Sequence, residues 1–190
     1  MTALERQFEQ DLAFYCAPAL AGIKPSNLLS CSRETYPDLP SLAAQYNREL
    51  SGAKIRFRIL CSCGRRQLLL VYRSDRLEQQ LRQPAVASLL RALGYPVRAG
   101  AEAMLEYLGV RFGQGEEFPH EIGLFLGYPV EDVLGFLENQ GKNCRYCGHW
   151  KVYGDVEQAK RRFAQYDRCR SAVCQRVCQG QTIARMFATA

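Results

Sequence analysis

The sequence predicts an α+β fold, mainly helical, with a small antiparallel β-sheet. Apolar residues recur at helical spacing over most of the 190 residues. The period changes to two in one place, where Ile55, Phe57 and Ile59 alternate with Lys54, Arg56 and Arg58. A continuous apolar run, LLLVY at 68–72, then follows CSCGRR and reads as a strand covered on both faces, so that 54–73 forms a hairpin.

The remaining elements follow from local signals. Leu4, Phe8, Leu12 and Tyr15 mark a helix over 3–16 that should end before Pro18, and CAPALAGIKPSNLLSCS, with two prolines and a glycine, reads as ordered but non-helical. Pro40 and Ser41 open a short helix closed by Gly52. Leu77, Leu81, Val86, Leu89, Leu90 and Leu93 give two helices divided at Pro84, with Gly94 ending the second. Met104, Leu105, Leu108 and Phe112 continue the pattern. Pro119 and Pro129 each pre-set a helical turn, giving a tight helix pair that ends at Gly127 and Gly141. Glu131 and Asp132, in the first turn of the second helix, have a structural use there. HWKVYG at 149–154 reads as a short strand. An amphipathic helix from Asp155 and a final helical segment around Val173 and Val177 complete the chain.

Composition bounds the class. With 47% hydrophobic and 23% charged residues, the chain reads as one domain, 1–190, able to build a core without staples. Its formal charge of +6 is uneven: residues 142–190 hold ten basic and three acidic residues, together with five of the nine cysteines. That stretch is a basic, Cys-rich subdomain of the same fold. An odd cysteine count and an acidic N-terminal segment argue for a reduced, cytoplasmic protein. The longest charge-free run, Leu12 to Ile23, spans 12 residues and contains Pro18, which excludes a transmembrane helix there.

Three groups of residues carry chemistry. Cys144 and Cys147, followed by Gly148, have the two-residue gap of a metal knuckle. Joined by Cys61 and Cys63, or with His149 replacing one sulfur, they would hold zinc or iron; the competing readings are a dithiol and packing of small apolar side chains. His120 and Glu121 open a helix, where an imidazole can exchange a proton near neutral pH or where both residues simply cap free backbone donors. Strand alternation places Lys151 and Tyr153 on one face and Trp150 and Val152 on the other. Lys24, after an apolar stretch, can point into a pocket. Finally, the basic C-terminal stretch carries Tyr146, Trp150, Tyr153 and Tyr166, a pattern compatible with nucleic acid or with an ordinary solvated helix face.

CAPALAGIKPSNLL, FPHEIGLFLGYPVEDVLGF and GKNCRYCGHWKVYGDVEQAKRRFAQYDRCR resemble the three characteristic stretches of an uncharacterised bacterial family common in anaerobes, catalogued as domain of unknown function 3793. The resemblance implies signature positions at Cys16, Pro18, Gly22 and Lys24, at Pro119 to Glu121 and Gly127 to Pro129, and at Gly148, Trp150, Lys151 and Tyr153. Family members often carry histidine where this chain has Tyr15, and cysteine where it has His149. The expectation is a protein of anaerobic metabolism that binds a small ligand or metal through Lys24, His120, Glu121, Lys151 and Tyr153 with nearby cysteines. The alternative is a module whose basic C-terminal face takes nucleic acid or an acidic protein.

Overall fold

A computed structural model describes residues 1–114 and 118–188, without the side chains of Cys63 and Gln114. The fold is α+β. Helix α1 (Ala3–Leu20) leads into strand β1 (Ser26–Ser32), then α2 (Leu39–Glu49), β2 (Ile55–Cys63) and β3 (Arg66–Arg73). Helices α3 (Ser74–Leu81), α4 (Pro84–Ala92), α5 (Ala101–Gln114), α6 (Ile122–Phe125) and α7 (Val130–Glu138) follow. The chain ends with strands β4 (Tyr146–Cys147) and β5 (Lys151–Val152), the long helix α8 (Val156–Cys178) and α9 (Ile183–Phe187).

The predicted hairpin forms, with Ile55 opposite Arg73, and β1 adds a third antiparallel strand to give the order β1-β3-β2. β3 is therefore central, and its apolar run divides between two cores. Leu69 and Val71 face a layer built from α1, α2, α9 and the end of α8, while Leu70 and Tyr72 face α3 to α7. Successive strand side chains point to opposite faces, which explains why LLLVY carries no polar alternation.

Several elements differ from the sequence expectation. α1 runs through Pro18 to Leu20 instead of stopping before it. Proline in a helix loses one backbone bond, but here it lies in the last turn, and full burial of Ala17, Ala19 and Leu20 offsets that loss. The stretch read as non-helical contributes that last turn and then β1. Arg58, on the basic face of β2, meets α5 rather than open solvent, bonding Glu102 at 2.6 Å. The first helix of the 119–141 pair shrinks to the single turn of α6, so His120 precedes it. The two C-terminal helical segments are one helix, α8, whose Asp155 accepts from the Gln158 backbone N–H as its cap.

A third, smaller core closes the structure beside the sheet. Trp150 and Val152 from the β4-β5 hairpin pack on Ala159, Phe163 and Tyr166 of α8, with Ile23 and Tyr128 against them. No described helix is long and apolar enough to cross a membrane.

Candidate functional site

The stretches 16–29, 118–136 and 141–170 converge at this third core. Gly127 takes a positive φ of 76°, and a Cβ there would fall 2.6 Å from Pro25, so the loop after α6 closes directly on the segment leading into β1. Ser26 donates its hydroxyl to the Phe125 carbonyl at 2.8 Å, fixing the same contact. Tyr128 then stacks on Trp150, with ring centres 4.6 Å apart and planes 24° from parallel. The Trp150 ring also meets Phe163 edge-on at 4.4 Å.

Asp132 joins these parts. It is 3% exposed, and its carboxylate accepts the Trp150 indole N–H at 2.7 Å and the backbone N–H groups of Tyr153 and Gly154 at 2.7 and 2.8 Å. The structural use expected of Asp132 is thus a tertiary one. Three donors on one carboxylate tie α7 to the C-terminal hairpin and leave little capacity for anything else.

Between α6–α7 and that hairpin lies a cavity of about 390 Å³. Phe118, Leu126, Tyr128, Val133, Phe136 and Trp150 form much of its wall. Both histidines reach it, His120 from the turn before α6 and His149 from the β4-β5 turn, and Lys151 and Cys147 complete its edge. The His120 ring centre is 4.5 Å from that of Phe136, and Lys151 Nζ lies 5.8 Å from the same ring centre. Lys151 also donates to the Gly141 carbonyl at 2.6 Å.

His149 is oriented from outside the cavity. Its Nε2 lies 3.0 Å from Asp167 Oδ1 on α8, and Arg170 lies 3.4 Å from the same oxygen. Burial holds the imidazole below its ordinary pKa; Asp167 opposes that effect, while Arg170 and Lys24 add to it. The neutral ring therefore donates Nε2–H to Asp167 and keeps Nδ1 as an acceptor.

The other expected site residues are placed differently. Lys24 is 6% exposed and lies behind the Tyr128 wall, its Nζ 5.2 Å from the Tyr128 ring centre and 5.8 Å from that of Tyr166. No carboxylate among the described residues pairs with it, and burial lowers its pKa to about 8, with the Cys16 thiol opposing that fall. Glu121 neither faces the cavity nor caps α6. It is buried in the helical layer, accepting from Tyr95 Oη at 2.9 Å and Arg111 Nε at 3.1 Å. Tyr153 donates its hydroxyl to the Lys142 carbonyl, and its ring covers Gly135, where a Cβ would have no room. Strand alternation does hold, with Trp150 and Val152 buried and Lys151 exposed.

The cysteines are dispersed. Cys16 and Cys31 are buried thiols of the first core, and burial raises both pKa values. Cys144 and Cys147 are free thiols on the hairpin, whereas Cys61 is disulfide-bonded. The side chain of Cys63 lies outside the described residues. Among the described residues no three His, Cys, Asp or Glu side chains gather as a metal site.

Sequence reasoning missed the Asp167 partner of His149 and the donors on Asp132. Both pairings span 18 or more residues and carry no local pattern. The match to the family described as protein of unknown function (DUF3793) spans residues 12–187, and the chain belongs to that family. No curated protein and no solved structure matches it.

Proposed function

We propose that this protein binds a small molecule with an apolar, ring-sized body in the cavity between α6–α7 and the β4-β5 hairpin. One observation carries the reading: a cavity of about 390 Å³, walled by aromatic and aliphatic side chains, into which distant segments bring His120, His149 and Lys151. Mostly apolar concavities with a few convergent polar groups are the usual form of small-ligand sites. Of the residues singled out in the sequence, His120 and Lys151 contribute directly, and Lys24 acts through the Tyr128 wall. Glu121 and Tyr153 hold the surrounding frame.

The exposed free thiols Cys147 and Cys178 support residence in the bacterial cytoplasm, whereas the disulfide-bonded Cys61 counts against it. A nucleic-acid or acidic-protein partner on the basic C-terminal face has less support. Trp150 and Tyr166, two of the four rings that would stack on bases, are 7% and 5% exposed and belong to the third core.

The test uses N-phenyl-1-naphthylamine, a neutral aromatic probe. Trp150 is the chain's one tryptophan and forms part of the cavity wall, so energy transfer from it reports bound probe, and the variant below assigns that probe to the cavity. Titration should quench Trp150 with saturable probe emission, and Cys147→Phe, which adds a ring at an exposed edge of the cavity, should weaken binding at least tenfold with an unchanged melting temperature. Undiminished binding in that variant, or no transfer in the wild type, refutes the reading.

A further inference from the structure

We infer that the ligand of this cavity is an organic acid, its anionic head held by Lys151 and His120 beside the Phe136 ring and its apolar body lying toward Tyr128 and Trp150. The inference rests on the cavity reading above and adds the charge of the ligand.

Four features point to an anion. Lys151 gives one N–H to the Gly141 carbonyl, and an ammonium has three donors, so two remain. His120 makes ring contacts with Phe118 and Phe136 and no hydrogen bond among the described residues, leaving its N–H free for a ligand. Both groups adjoin the same aromatic ring, so one head group can meet both. Asp132, the one carboxylate among the described residues that line the cavity, is already held by three donors and has little capacity left to pair with a ligand cation.

The surroundings act in the same direction. Residues 142–190, which provide one wall, carry ten basic and three acidic side chains. Lys24, behind Tyr128, has no carboxylate partner among the described residues. A field of one sign focused by low-dielectric walls raises the local concentration of the opposite charge. An amine ligand would meet cations at the polar edge and find no free carboxylate among the described residues. An organic acid meets two donors there and an apolar wall for its body. His149, with Nδ1 as an acceptor, adds a place for a hydroxyl or N–H on the same ligand.

The experiment compares two probes with the same aromatic skeleton, 8-anilinonaphthalene-1-sulfonate and the neutral N-phenyl-1-naphthylamine, each followed by energy transfer from Trp150. The sulfonate is expected to bind at least tenfold tighter than the neutral probe. Lys151→Met should remove most of that preference, and Lys151→Arg should restore it. Circular dichroism and melting curves confirm that each variant is folded, and His120→Gln provides a second, independent loss of preference. Equal binding of both probes, or a preference that survives both Lys151→Met and His120→Gln, overturns the acid inference while leaving the cavity reading intact. Failure of both probes to draw energy from Trp150 overturns the cavity reading itself.

Discussion

Replacing Lys24 with methionine should stabilise the protein at neutral pH, and the gain should shrink as the pH rises. The side chain is 6% exposed, its ammonium faces two tyrosine rings, and no described carboxylate neutralises it. Burial lowers its pKa from 10.5 to about 8. At about 1.4 kcal/mol per pH unit, holding this charge in the fold costs about 3 kcal/mol below pH 8. The sign follows from linkage. A lysine whose folded pKa lies below its unfolded value weakens the fold fully when both states are protonated. That penalty fades as the pH climbs through 8 and is gone above 10.5. Methionine keeps the length and apolar volume but carries no charge. Losing the two cation–π contacts returns part of the gain. The net increase should therefore be about 1–3 kcal/mol at pH 7, read as a higher urea midpoint at unchanged slope. Between pH 7 and pH 9 the gap between the two proteins should narrow by about 1 kcal/mol. Comparing the variant with the wild type at each pH cancels most of the titration of the other groups. A gap that is constant or widens over this range, or a variant less stable at pH 7, would refute the argument that Lys24 is an uncompensated buried charge.

Two further outcomes follow from the anchoring pairs. Asp132→Ala strips the acceptor from the Trp150 indole N–H and two backbone N–H groups, and should cost about 3 kcal/mol or more in urea unfolding with a red shift of Trp150 emission; a loss under about 1 kcal/mol would show that the carboxylate does not tie α7 to the hairpin. In NMR titrations His149 should protonate below the ordinary histidine range. Asp167→Asn should push it lower still, because the carboxylate is what supports the charged ring; a rise in that variant would count against the pairing.

Helix α7 and the hairpin 54–73 were legible because each is a local pattern: a proline-started helix closed by a positive-φ glycine, and a change of period from 3.6 to 2. The extent of α1 was not, since Pro18 is a stop signal locally and only burial of the following residues carries the helix past it. The site divides in the same way. His120 and Lys151 stood out as residue types able to do chemistry, and the cavity brings them together. Glu121 stood out equally, yet a tyrosine from the loop after α4 and an arginine from α5 absorb its carboxylate.

The sequence by itself determined the fold class, the family, the central hairpin with its doubly apolar strand, and the concentration of positive charge in residues 142–190. These depend on period, composition and contiguous strings, which chain order preserves. Tertiary structure alone decided which polar groups are free and which are occupied. Asp132 is held by donors from the residues on either side of β5, His149 is oriented by α8, and Lys24 is buried between rings that lie more than a hundred residues away. A side chain's chemistry depends on the partners and the water around it, and those are set when distant segments pack together.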